Sequence, residues 1–147
     1  MSTSIVFNGI AYAWGVSIDD ARNIIYVADT NGHRLWAKDM TTGRTWTLAG
    51  TGVAGFADGG PGVCRITGPY GVAASPSTGN IFVSVSNGYH AIRMVTPAGF
   101  CSTIAGSTSG ATGFADGVGT NARFDSPLNV ALDDLAGFLY VADYSVF

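Results

Sequence analysis

Short apolar runs separated by polar turns follow one another along the whole chain. Residues 24–28, for example, lie between a polar turn at 19–23 and a second turn at 29–32. Runs of this length, rich in β-branched and aromatic residues, favour strands over helices, and Asn-Gly at 31–32 is typical of a tight reversal. The pattern predicts four strands at residues 14–18, 24–28, 33–38 and 45–48. Strands this close in sequence indicate an antiparallel meander without a helix.

The same plan recurs along the chain. The pentapeptide GFADG occurs at residues 55–59 and again at 113–117, 58 residues later. A shift of 58 residues aligns the second segment with the third, and a shift of 56 residues aligns the first segment with the second. The repeat predicts further strands at 71–74, 80–84, 90–95, 102–104, 129–132 and 138–142. The chain therefore contains two copies of one unit and the first half of a third.

Two glycine-rich linkers, residues 51–68 and 107–126, join the units and are centred on GFADG. Each is expected to lead from the outermost strand of one sheet to the innermost strand of the next. The phenylalanine is expected to be buried and to hold the linker in place. Asp58 and Asp116 are expected to accept hydrogen bonds from backbone N–H groups of their own turns, as aspartate commonly does.

Several segments resemble the NHL repeat in a fixed order. They are PYGVAAS and SPLNVALD, then IIYVADTNGHRLWAKD and NIFVSVSNGYHAIRMV, then TLAG or TIAG before GFADG. The resemblance implies an all-β fold, namely a β-propeller segment of four-stranded antiparallel blades in an incomplete ring. Blade 1 would span about residues 10–50, blade 2 about 69–106 and half of blade 3 about 127–147. The strands around Gly15, Gly71 and Asn129 would line the axis.

The chain departs from a regular propeller in two ways. At equivalent positions of the repeat, Ala13 stands where the other copies have proline, and Asn129 stands where they have glycine. Val85 stands where the other two copies have aspartate, namely Asp29 and Asp143. Related propellers generally close with about six blades, more than this chain holds. We therefore expect a segment of a longer propeller, or a ring completed by self-association. Residues 4–7 could form the outer strand of a preceding blade.

Charge and hydropathy narrow the classes of partner. Only 12% of the residues are charged, the formal net charge is −3, and the seven basic residues are scattered. This distribution disfavours nucleic-acid binding, including RNA binding by a propeller face. No apolar stretch is long enough to span a bilayer and no secretory signal is evident, so we expect a soluble protein in a compartment that the sequence leaves open.

Cys64 and Cys101 are the only cysteines, and they occupy different positions in the repeat. They are therefore not a staple that recurs with the unit. We expect two free thiols, with a disulfide or a redox pair as the alternative.

Candidate catalytic chemistry is sparse. His33 and His90 occupy nearly equivalent positions, and no HxH, CxxC or HExxH spacing accompanies them, so we expect them to be structural. Asp29 and Asp143, with Asp19 and Asp133 nearby, could be catalytic carboxylates or calcium ligands, but their recurrence favours a role as turn acceptors. We expect no catalytic residue, metal ligand or cofactor.

These observations favour a non-catalytic scaffold that presents its loops to a protein partner. The candidate surface residues are Asp29, Thr30, Asn31, His33, Arg34, His90 and Asp143. Aromatic side chains could add anchors or pack the blades together, namely Tyr12, Trp14, Trp36, Trp46 and Tyr70. The alternative is part of a metal-dependent propeller lyase or hydrolase, since amidating lyases with similar propellers use metal-bound histidines.

Overall fold

The structure, a computed structural model, describes residues 7–144. The first sheet is an antiparallel meander in the order β1-β2-β3-β4. Its strands are β1 (Ala13–Asp19), β2 (Ile24–Asp29), β3 (Arg34–Asp39) and β4 (Thr45–Ala49). The strand expected at residues 4–7 lies outside the described residues, except for Phe7.

The second sheet repeats the meander, and a third sheet contains its first two strands. Between the first and second sheets lies a short hairpin of β5 (Phe56–Ala57) and β6 (Arg65–Ile66). The second sheet consists of β7 (Pro69–Ala74), β8 (Ile81–Val85), β9 (Ala91–Val95) and β10 (Cys101–Gly106). The third pairs β11 (Pro127–Asp133) with β12 (Phe138–Asp143). A single turn of 3₁₀ helix, Gly119–Asn121, lies in the second linker.

The all-β fold of antiparallel four-stranded sheets is confirmed, and each of the ten predicted strands is present. Most bounds differ from the prediction by one or two residues, because strand ends are set by hydrogen-bond pairing rather than by composition. The β5–β6 hairpin was not predicted. Strands of two residues are too short to show an alternating pattern.

The first strands of successive sheets lie side by side. A Cβ atom built on Gly71 would lie 2.6 Å from the Asn129 Cα, and one built on Gly15 would collide with the Tyr70 carbonyl oxygen. The Ala74 N–H donates to the Ser17 Oγ across the same junction, at 3.0 Å. Glycine is thus needed at these two positions because one backbone passes close to the next.

Two apolar cores hold the sheets together. The larger one lies between the first and second sheets and contains Leu35, Ile66 and Val83, all fully buried. The smaller one joins the second and third sheets around Ala73, Ile92 and Val130. Truncating a buried Leu or Ile to Ala typically lowers the free energy of unfolding by about 2–5 kcal/mol, so these two cores stabilise the contacts between the sheets.

A disulfide joins Cys64 to Cys101, so the expectation of two free thiols was wrong. Cys64 belongs to the first linker and Cys101 begins β10, and their Cα atoms are 6.0 Å apart. The linker reaches this strand because Gly59 and Cys101 exchange backbone hydrogen bonds of 3.0 and 2.8 Å. Because the two cysteines occupy different positions in the repeat, a disulfide that recurs in every unit is excluded. A single disulfide between a linker and the following sheet is not excluded.

Candidate functional site

The carboxylate of Asp29 is buried at the end of β2 and accepts hydrogen bonds from the backbone. It accepts N–H groups from Tyr12 at 2.9 Å, Ala11 at 3.1 Å and Gly32 at 3.0 Å, and the Trp36 indole N–H at 3.2 Å. Burial raises the pKa of Asp29, but these donors outweigh burial and hold the pKa below its usual value. Asp29 therefore fixes both its own turn and the approach to β1.

Asp143 has the same role at the end of β12. Its two carboxylate oxygens accept the Asp125 N–H at 3.0 and 2.9 Å, at the approach to β11. Asp29 accepts the Gly32 N–H of its own turn, as predicted, whereas the N–H group that Asp143 accepts lies 18 residues earlier in the chain. Thr30 is also buried, and its hydroxyl donates to the Pro69 carbonyl at 2.7 Å, which ties the first sheet to the second.

The two histidines occupy matching places in successive sheets. His33 and His90 have left-handed backbone φ angles of 53° and 47°. The His33 Nδ1 accepts the Gly68 N–H at 3.1 Å, and the His90 Nδ1 accepts the Ser126 N–H at 3.1 Å. Each imidazole therefore holds the entry to the first strand of the following sheet, which is a structural role, as expected.

The remaining candidate side chains are more accessible. Asn31 is exposed in the β2–β3 turn, and Arg34 is half-buried at the start of β3. The corresponding turn of the second sheet exposes Asn87, whose Oδ1 accepts the Tyr70 hydroxyl at 3.1 Å. In an antiparallel meander these turns lie at the same end of each sheet as the linkers. Of the seven candidates, two are therefore buried, four are half-buried and only Asn31 is exposed.

Within residues 7–144, no three side chains of His, Cys, Asp or Glu come together in a way that could hold a metal ion. The same residues include no helix long and apolar enough to cross a membrane.

Arg93 is the centre of a cluster that sequence reasoning missed. It is fully buried on β9, and its guanidinium donates to Asp58 Oδ1 at 2.6 Å, the Ala57 carbonyl at 3.0 Å and the Arg65 carbonyl at 3.1 Å. The same group lies 4.2 Å from the centroid of the Phe56 ring. Burial lowers the pKa of Arg93, and the carboxylate of Asp58 partly restores it. Arg93 thereby clamps the first GFADG against the second sheet.

The expectation that Asp58 accepts N–H groups of its own turn was wrong. Besides Arg93, its carboxylate accepts the N–H and hydroxyl of Thr103 on β10, at 3.1 and 3.0 Å. Phe56 is half-buried and stacks on Tyr89 with ring centroids 4.5 Å apart. The only signal in the sequence was an arginine within an otherwise apolar strand, which requires a buried partner.

The second GFADG is in a different environment. Phe114 and Asp116 are exposed, so the expected burial of the phenylalanine does not hold for this copy.

Aromatic side chains are also exposed on the outer strands of the array: Tyr12 and Trp14 at β1, and Phe138 and Tyr140 on β12. Both ends of the array of sheets therefore present apolar surface.

Comparison with known proteins finds a family match over part of the chain. Residues 11–37 match the NHL repeat. The chain is 40% identical over 63 residues to the Arabidopsis thaliana protein SUPPRESSOR OF QUENCHING 1, chloroplastic. That match covers 43% of this chain and 6% of the Arabidopsis protein, so this chain spans a small part of that relative.

Solved structures share the fold over most of the chain. An auxiliary nutrient binding protein from Bacteroides thetaiotaomicron gives a TM-score of 0.71 at 22% identity, covering 87% of this chain and 34% of that one. A chain of a nidogen/laminin complex gives 0.69 at 17% identity, covering 96% and 44%. The fold is therefore that of a β-propeller segment. Within this fold, residues 11–37 are the part that matches the NHL repeat.

Proposed function

We propose that this chain is a non-catalytic interaction scaffold that binds a protein partner through the loops at one end of its sheets. In this proposal its blades span about residues 10–50 and 69–106, and half of a third begins at about 127. Further strands, from a longer chain or from other copies, complete the ring. The unpaired side of β12 within the described residues supports this completion, because an open sheet edge favours added strands.

The proposal rests on one observation: the aspartates and histidines that recur in the repeat are bonded to the backbone. The carboxylates of Asp29 and Asp143 and the Nδ1 atoms of His33 and His90 accept backbone N–H groups and so hold turns and sheets together. The β2–β3 and β8–β9 turns expose asparagine side chains instead. Rigid sheets that present polar loops are typical of protein-recognition surfaces. Of the two structural neighbours, one is described as a nutrient binding protein and the other belongs to a complex of two proteins.

Affinity capture with three forms of the chain tests the proposal. Asn31→Arg places a bulky charge on the exposed β2–β3 turn, whereas Leu135→Arg places the same side chain on the fully exposed β11–β12 turn at the opposite end of the sheets. We expect a specific protein to be retained by the wild type and by Leu135→Arg but lost from Asn31→Arg. The melting temperatures of all three forms are expected to agree, because both positions are exposed.

Equal capture by all three forms would refute the proposed surface. Loss of capture from Asn31→Arg together with a lower melting temperature would also count against it, because the substitution would then have acted through the fold.

A further inference from the structure

The β2–β3 and β8–β9 turns both contain asparagine followed by glycine, as Asn31-Gly32 and Asn87-Gly88. This dipeptide is prone to spontaneous deamidation, because glycine has no side chain to hinder attack of its backbone nitrogen on the asparagine side chain. Asn31 and Asn87 are both exposed. The two turns therefore present the same reactive dipeptide at the same place in the repeat, and they differ in what surrounds it.

The first dipeptide is held by Asp29. The Gly32 N–H donates to the Asp29 Oδ1 at 3.0 Å, and a Cβ atom built on Gly32 would overlap the same carboxylate. The Gly32 nitrogen attacks only after it has lost its proton, and this loss beside a carboxylate would bring two negative charges together. Because the pKa of Asp29 lies below its usual value, the carboxylate is ionised at neutral pH and opposes this step.

The second dipeptide has no such carboxylate. Val85 stands where the first sheet has Asp29, and the β8–β9 turn spans residues 86–90, one residue more than 30–33. Within residues 7–144, the Gly88 N–H donates no hydrogen bond, and no atom outside the neighbouring residues lies within 4 Å of a Cβ atom built on Gly88. Gly88 is exposed, whereas Gly32 is half-buried. The Gly88 nitrogen is therefore accessible for the reaction.

The hydroxyl of Tyr70 assists at the carbon that is attacked. It donates to the Asn87 Oδ1 at 3.1 Å. A donor at this oxygen stabilises the negative charge that develops there while a nitrogen atom adds to Cγ. The structure thus supplies Asn87 with an accessible nucleophile and a polarised carbonyl group.

We propose that Asn87 is a deamidation site of this chain and that Asp29 protects the corresponding Asn31. The Gly88 nitrogen loses its proton and bonds to the Asn87 Cγ, the bond from Cγ to the side-chain nitrogen breaks, and ammonia leaves. A cyclic succinimide results, and addition of a water molecule opens it to aspartate or isoaspartate. The amide and water are thus converted to a carboxylic acid and ammonia, with no oxidation or reduction.

The reaction changes the surface of the β8–β9 turn. Either product places a carboxylate where an exposed amide stood, and isoaspartate also lengthens the backbone by one carbon atom. The same turn includes His90, whose Nδ1 accepts the Ser126 N–H at the next junction. The inference does not depend on the scaffold role, since the chemistry takes place whether or not this turn binds a partner.

Incubation of the full chain in mildly alkaline buffer, followed by tryptic peptide mass spectrometry at intervals, provides the measurement. Trypsin separates the asparagine-glycine pairs into peptides 1–22, 23–34 and 66–93, the first of which contains a third pair, Asn8-Gly9. We expect Asn87 to react about tenfold or more faster than Asn31, because the Gly32 N–H must first leave a hydrogen bond to a charged group. In denaturant the rates at Asn31 and Asn87 are expected to become similar, because Asp29 and Tyr70 then no longer lie beside them.

Two variants test the individual contacts at a temperature where circular dichroism shows each to be folded. Tyr70→Phe is expected to slow the reaction of Asn87 about two- to tenfold, because one hydrogen bond to the developing charge is lost. Tyr140→Phe removes the same hydroxyl group from an exposed tyrosine on β12 and is expected to leave this rate unchanged. Asp29→Asn is expected to raise the rate at Asn31 while the rate at Asn87 stays the same.

Equal rates at the two sites in the folded chain, or a faster reaction at Asn31, would overturn the assignment of the site. If Tyr70→Phe leaves the rate at Asn87 unchanged or raises it, the role of the hydroxyl group is wrong. If the rate at Asn31 does not rise in Asp29→Asn, the protection by Asp29 is wrong.

Discussion

Replacing Asp58 by asparagine would remove the carboxylate that lies 2.6 Å from a fully buried guanidinium while preserving the size of the side chain. A hydrogen bond to a charged group contributes about 1.5–3 kcal/mol. Because the Asp58 side chain is 50% exposed, solvent screening reduces this, and we expect a loss of about 1–2 kcal/mol in the free energy of unfolding. Arg93 keeps two carbonyl acceptors, which limits the loss.

The matched control is Asp116→Asn, which makes the same change in the second GFADG, where the carboxylate is exposed. In thermal unfolding followed by circular dichroism, we expect Asp58→Asn to melt about 3–6 °C below the wild type. Asp116→Asn is expected to stay within about 0.5 kcal/mol of the wild type. Equal melting temperatures for the wild type and Asp58→Asn would refute a stabilising contact between Arg93 and Asp58. An equal decrease in melting temperature in both variants would refute it as well.

Two further predictions concern the disulfide and Asp29. The Cys64–Cys101 bond spans 37 residues and is expected to stabilise the fold by about 3–4 kcal/mol, so Cys101→Ser should melt lower; two thiols per denatured, unreduced chain would contradict the bond. The folded-state pKa of Asp29 lies below its unfolded value of about 3.9, so its contribution is present above about pH 4 and lost as pH falls through the folded pKa. Melting temperature measured from pH 7 to pH 2 should therefore fall less steeply in Asp29→Asn than in the wild type, and parallel curves would contradict this.

The strands could be predicted because the repeat provides independent copies of one pattern. The run at residues 80–84 is short, but it aligns with 24–28 and 138–142, and β8 is found at Ile81–Val85. The close approach of the first strands was not predicted, although Gly15 and Gly71 recur at the same place in the repeat. Backbone organisation is thus encoded locally and repeated.

The partners of individual side chains could not be predicted, because they depend on contacts between units. Asp58 is bound by Arg93, 35 residues away, and Cys64 is bonded to Cys101, 37 residues away. Neither partner recurs in the repeat: Trp36 occupies the place of Arg93 in the first sheet. A periodic sequence therefore predicts what each unit shares, while the features that distinguish one junction from another emerge only in three dimensions.

The histidine bonds between sheets have a consequence for synthesis on the ribosome. His33 and His90 bind backbone groups 35 and 36 residues further along the chain. At about 5–20 residues per second, roughly 2–7 s separate the synthesis of each imidazole from the synthesis of the backbone N–H group that donates to it. In both junctions the donor N–H group belongs to the later part of the chain and the imidazole to the earlier sheet. A nascent sheet therefore gains this hydrogen bond only after the next linker has been translated.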